Sequence, residues 1–349
     1  MLSPDTMATV PLWLSEKWTD STVFVSSEVK ISRNLSGWSF PGVLSQPDRR
    51  LVAEQVSRAL SGVGYEQTDL ERASSLERTV LKERRIISKM LAAGQSGSIL
   101  LRHAAGQEAM TVSTNDGDHV RIRSIGPGSA IRRLVEEAMA TERLLATSLK
   151  FAKSSAFGYL TTLYRESGSG MRLSLILHLP ALVVAGQMEP MISAVVRGGI
   201  MCSGCFGDES MGTGNLFHFY CEPGCLSATE EAINSLEAAA GKVAAAELAV
   251  RLPGRDADAL DTVARAHGIL ASAVKIDFDE AICNISLLSL VRRFGLGPFD
   301  PDRARPLFAA VMPGHLHMAF PEKKDLDELR DRADLIRSRL WGKNQLALD

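Results

Sequence analysis

The strictest constraint in the chain is the run Met171–Leu179, MRLSLILHL, in which Leu173, Leu175, Leu177 and Leu179 recur with a period of two. That period belongs to a β-strand, where alternate side chains share a face, so the four leucines line one side. Arg172, Ser174, Ile176 and His178 fall on the other side, and Arg172 therefore points away from the leucine face.

Residues 22–35 and the segments Ser98–Arg102, Ala109–Ser113 and His119–Ile125 are further short apolar or alternating runs, predicted as strands separated by Gly and Asp turns. Between them, 48–93 has a helical pattern rich in Arg, Glu and Leu. Residues 129–151 carry apolar positions at helical spacing after a cap expected at Ser129. A short helix is expected near 188–198, then a strand pair, Ile200–Phe206 and Asn215–Cys221, around the Gly-rich turn GDESMGTG, then an Ala/Glu-rich helix from Ser227 to about Leu252. Leu252-Pro253-Gly254 breaks that helix, and the remainder reads as helices at about 256–273, 278–294, 302–311 and 323–341. The reading is an α+β chain of two domains, 1–253 and an all-helical 254–349.

Composition narrows the class. At 45% hydrophobic and 23% charged residues the 349-residue chain is that of an ordinary globular protein, without the long apolar run of a membrane span. A net charge of −2 gives no overall basic field, which argues against generic nucleic-acid binding and leaves room for a local anion site of a few arginines. Acidic Asp5 and the short apolar stretch Val10–Leu14 do not make a secretory leader, and five cysteines do not make a disulfide scaffold, so a cytoplasmic protein with reduced thiols is expected.

Five segments, in order, resemble the motifs of one enzyme family. VFVSSEVKISRNLSGWSFPG resembles S-S-R-x-R-x-x-R-N followed by F-P. LKERRIISKML resembles L-x-E-x-H-L-I-S-P, and STNDGDHVRIRSIGPG resembles N-E-E-D-H-x-R-I. SSAFGYLTTLYRESGSGMRLSLILHLPAL and GGIMCSGCFGDESMGTGNLFHF resemble the F-G-Y-L-T to H-L-P-A-L and G-E-G-S-E segments. The family is that of the ATP:guanidino phosphotransferases, or guanidino kinases. DTVARAHGIL, AVMPGHLHMAF and RADLIRSRL resemble the extra domain of its protein arginine kinase branch. The resemblance implies an antiparallel sheet flanked by helices plus an all-helical C-terminal domain like the one that binds phosphoarginine. It implies ATP with magnesium as donor, arginine within a protein as acceptor, and a protein substrate or regulatory protein as partner, with self-association left open.

Carried over by motif, the nucleotide-binding positions are Ser26, Ser27, Lys30, Arg121, Arg172 and Ser174, with His119 beside Arg121. Phosphoryl transfer spreads charge over phosphate oxygens, so it needs positioned cations, and a guanidinium acceptor needs a carboxylate to hold it and take its proton. Several positions depart from the pattern. Glu28 and Ser203 stand where the family has arginines, Lys30 replaces another, Arg85 replaces a histidine, Leu163 a reactive cysteine, and Gly117 the expected glutamate. Asp116 and Asp208 keep carboxylates one methylene shorter at neighbouring positions and are the catalytic candidates. In the C-terminal motif R-D-x-x-R-A, Arg332 and Ala333 match, whereas Glu328 and Leu329 replace its first two residues. The expectation is a cradle short of guanidinium groups, with a reversed charge at Glu28 and arginine phosphorylation weak or lost. A pseudokinase acting as a binding or regulatory subunit is the alternative.

A rival signal is Cys202-x₂-Cys205 followed by Cys221-x₃-Cys225, close to four-cysteine zinc spacing. Cys202 and Cys205 on one strand would face opposite ways, which makes buried thiols the favoured reading over a zinc-stabilised module.

Overall fold

In the computed structural model, residues 9–19, 22–104, 108–206, 212–250, 257–297, 299–323 and 325–342 are described. The strands are β1 (Phe24–Arg33), β2 (Tyr65–Asp69), β3 (Ile99–His103), β4 (Met110–Asp116), β5 (Asp118–Pro127), β6 (Lys153–Ser154), β7 (Gly158–Tyr159), β8 (Met171–His178), β9 (Met201–Gly204) and β10 (Leu216–Cys221). Eight of them form one sheet in the order β2-β3-β4-β5-β1-β8-β10-β9, while β6 and β7 form a separate hairpin. The antiparallel sheet flanked by helices, with a helical C-terminal region, is the expected α+β arrangement.

Two compact units divide the chain: Ser26–Leu175 with Tyr220–Glu237, and Leu2–Val25 with Ile176–Phe219 and Ala238–Asp349. In the first, β1 and β5 pair antiparallel with Lys30 opposite Arg123 and Ser32 opposite Arg121. β4 continues the rows with Thr111 and Ser113 against the same two arginines. Directly opposed residues share a face, so these rows make one face polar. The other face carries Val29, Ile31, Val112, Val120 and Ile122, all fully buried. Helices α1 (Gln46–Ala59) and α3 (Ile131–Ala146) pack against β4 and β5.

The second unit is built around α7 (Phe278–Leu287), against which α6 (Ala257–Ser272), α8 (Arg305–Ala310) and α10 (Glu328–Trp341) pack. Asp277 caps α7 by accepting the Glu280 N–H at 2.8 Å. Trp13, Ile282, Ile285, Phe308, Leu316 and Ile336 are among its buried apolar residues.

Three local expectations change. The continuous helical reading of 48–93 is interrupted, because β2 separates α1 from α2 (Ser75–Glu83). Its sequence YEQTD has no apolar alternation, but Tyr65–Asp69 pairs residue for residue with His103–Ile99 at the sheet edge, and Gly62 and Gly64 take the positive φ angles that end α1. Ser129 is not the cap of α3. Ala130 holds that position, and its N–H donates to Ser27 Oγ at 2.8 Å instead. A helix absent from the sequence reading, α9 (Pro313–Ala319), starts at a proline suited to a first turn. The boundary expected at 253 lies outside the described residues.

Candidate functional site

The site grows from the two-residue period of β1. Ser26, Glu28, Lys30 and Ser32 alternate onto the polar face, and Lys30 meets Arg123 directly across the strand pair. Like charges so opposed repel, and the repulsion has to be relieved locally. Glu28 relieves it. Its carboxylate, 1% exposed, lies 3.2 Å from Lys30 Nζ, 2.9 Å from Arg123 Nε and 2.8 Å from Arg85 Nη2. Arg123 also donates to the Arg85 carbonyl, so the turn after α2 is held from both sides; Arg85 itself sits at φ +60°. Burial, with Arg123, Arg85 and Arg121 pressing on it, pulls Lys30 down to about 8 even though Glu28 favours its charge. Burial likewise lowers Arg123 from its ordinary value, opposed by Glu28 and Asp116.

One row along, Arg121 lies 3.2 Å from Asp116 and 3.8 Å from Asp118. Asp116 accepts hydroxyls from Ser88 and, at 3.2 Å, Ser113. Asp118 accepts the Asn34 amide and the Thr162 N–H, each at 2.7 Å. Between them Gly117 holds φ +77°, where an added Cβ would stand 3.1 Å from Arg121 Nη2. The candidate base Asp116 is therefore already bonded, and the position expected to carry a glutamate carries no carboxylate. His119 Nδ1 accepts the Leu35 N–H at 3.0 Å and Nε2 faces the Ser39 carbonyl at 2.9 Å, which makes it a neutral Nε2–H strut; burial pulls its pKa down.

Arg172, on β8, lies against Glu222 at 2.9 Å through Nε and Glu166 at 3.0 Å, with the Tyr220 ring 4.8 Å from its guanidinium carbon. Burial opposes its charge, but Glu166 and Glu222 outweigh it and raise its pKa above the ordinary arginine value. Glu166 also accepts the Ser32 hydroxyl at 3.1 Å. Ser27 is structural: it donates to the Gly128 carbonyl at 2.6 Å and accepts from Ala130. Among the described residues, the buried hydroxyls of Ser26 and Ser174 have no hydrogen-bond partner.

The first unit thus brings together Ser26, Ser27, Lys30, Asp116, Arg121, Arg172 and Ser174. Ser203 belongs to the second unit, on β9, its Oγ 3.5 Å from His218 Nδ1. Asp208 lies outside the described residues. Leu163, more than half exposed, sits just before a 3₁₀ turn. Arg85 and Arg123 bring two further guanidinium groups to this face, both within ion-pair distance of the buried Glu28 carboxylate. Sequence reasoning also missed Glu166 and Glu222. The Arg121-Ile122-Arg123 alternation was the available signal for Arg123; nothing local in the sequence points to the two glutamates.

The charges balance. Lys30, Arg85, Arg121, Arg123 and Arg172 stand against Glu28, Asp116, Asp118, Glu166 and Glu222, five of each sign. Among the described residues these pairs leave the face without net positive charge. Among the described residues no group of three or more His, Cys, Asp or Glu forms a metal site, and the five cysteines are free thiols. Burial pushes Cys202 up to about 12 and Cys221 to about 11, so both stand as protonated thiols. In the second unit Arg332 is a buried strut, donating to the Val311 carbonyl at 2.9 Å and the Ile276 carbonyl at 3.1 Å. Glu328 bonds His317 at 2.9 Å, and Asp331 accepts from Lys323 at 2.6 Å.

An antiparallel sheet with an arginine-lined polar face and flanking helices is the guanidino-kinase fold. A lombricine kinase structure matches it with a TM-score of 0.57, covering 69% of this chain and 71% of that one at 16% identity. The chain belongs to the ATP:guanido phosphotransferase family, whose C-terminal catalytic domain matches residues 51–247. It is similar along nearly its whole length to protein-arginine kinases: 31% identical to that of Symbiobacterium thermophilum, over 94% of this chain and 96% of the relative. The Moorella thermoacetica enzyme is 30% identical, over 95% and 97%.

Proposed function

We propose that this protein is a protein-arginine-kinase-like pseudokinase. The family reaction, transfer of the ATP γ-phosphate to the guanidinium of a protein arginine, is weak or lost, and the chain serves as a cytoplasmic binding or regulatory subunit for a protein partner. In this reading 1–253 is the degenerate catalytic domain and 254–349 the helical domain. The observation that carries it is the pairing of all five cradle cations with carboxylates of the same chain, five against five. Transition-state charge on a transferring phosphoryl group has to be met by preorganised cations, and one such donor is worth about 10²–10³ in rate. Gly117 adds to the argument, because no carboxylate is carried there to hold an acceptor guanidinium.

The test is direct. Purified protein with Mg-ATP and an arginine-rich protein substrate is expected to yield no acid-labile phosphoarginine and no nucleotide-dependent rise in melting temperature. Turnover that falls in the Arg172→Ala variant would establish an active kinase and overturn the reading.

A further inference from the structure

Around Glu28 the polar sheet face has an uneven local balance: one carboxylate faces three cations, Lys30, Arg85 and Arg123. The other two clusters lean the opposite way, with Arg121 against two aspartates and Arg172 against two glutamates. The face is balanced as a whole, and its one local excess of positive charge lies where a single buried carboxylate holds three cations. Glu28 Oε1 lies within ion-pair distance of Lys30 and Arg123, and Oε2 accepts a hydrogen bond from Arg85. A carboxylate ringed by two guanidinium groups and an ammonium stands where those same cations could meet a phosphate group.

We propose that Glu28 is a built-in anion occupying a phosphate-type site, so that this protein rejects polyphosphate ligands because the site is filled by its own carboxylate and not because cations are missing. The proposal rests on the reading of this face as a degenerate nucleotide cradle and names the residue that makes it so. Without the Glu28 charge, Lys30 and Arg123 directly oppose each other with Arg85 above them, three cations of which Arg123 is almost wholly buried. Such a cluster demands an external anion. Lys30 is pulled down to about 8 first by burial and then by Arg123, Arg85 and Arg121, with Glu28 opposing. Arg85 ties the loop to the site: its backbone is in the left-handed region that non-glycine residues seldom adopt, and its side chain bonds Glu28 while its carbonyl accepts from Arg123.

The experiment compares full-length wild type, E28Q and E28Q/R123Q by thermal melting with inorganic tripolyphosphate and with Mg-ATP, at low and at high salt. E28Q is expected to gain about 4 °C or more with saturating tripolyphosphate, lost at high salt and in E28Q/R123Q, while wild type does not move. An inert E28Q beside an inert wild type sinks this inference and leaves the pseudokinase reading standing. Wild type that itself binds Mg-ATP sinks both. Where E28Q fails to fold in dilute buffer, refolding with tripolyphosphate decides: rescue supports the built-in anion. Absence of rescue overturns it.

Discussion

Lys30 carries the site's pH signature. Its folded pKa, about 8, is below the ordinary lysine value because burial and three guanidiniums outweigh Glu28. Between about pH 8 and 10.5 the unfolded chain keeps a proton that the folded chain has released, so stability contributed by this group rises with pH across that window. The gain is complete above the unfolded value and is lost as pH falls through about 8. Chemical unfolding of wild type from pH 7.5 to 10 is expected to gain on the order of 1–3 kcal/mol relative to Lys30→Met, whose profile lacks this rise. Parallel profiles would show that Lys30 is not under that pressure. At this scale the sequence is legible in part. Arg121, Lys30 and Arg172 are found from motif and period, and Glu28, Asp116 and Asp118 lie near their partners in sequence, but Arg85 and Glu222 reach the site from 57 and 50 residues away, and only folding shows those pairings.

At the scale of elements, the alternating strands are the best-read part of the chain. β1, β3, β4, β5 and β8 fall within a few residues of their expected spans, because a buried face enforces a strict period of two. Edge strand β2 escapes, since an exposed polar strand has no period to read. The segment leading into β8 depends on a close backbone approach. Gly168 has φ +108°, exchanges both backbone hydrogen bonds with Tyr159 at 2.9 Å, and would place a Cβ 1.9 Å from the Gly224 carbonyl oxygen. Gly168 cannot yield without breaking the bridge. Gly168→Ala is therefore expected to cost about 3 kcal/mol or more, read as a lowered urea midpoint, and to disturb the Glu166 and Arg172 pairing that follows it. A midpoint within experimental error of wild type would contradict this crowding.

For the molecule as a whole, acid stability is set in part by one imidazole. His178 is buried in the second unit, stacked on Trp18 at 4.8 Å, edge-on to Phe308 at 5.7 Å, with Nε2 2.6 Å from Ser286 Oγ. Burial lowers it to about 3, so folding requires it neutral and the stability it confers is whole above about 6.5 and lost as pH falls toward 3. Between pH 6.5 and 4 wild type is expected to lose on the order of 2–3 kcal/mol more than His178→Gln, measured by urea unfolding across pH. Equal acid slopes would remove His178 from this role. The sequence by itself determined the fold class, the family and the strand faces, because periodicity and motif spacing are local and survive without coordinates. The tertiary structure alone decided how the charges are spent: Arg85 and Glu28 are 57 residues apart, and Arg172 and Glu222 are 50. Electrostatic pairing depends on distance in space, which only the folded sheet supplies.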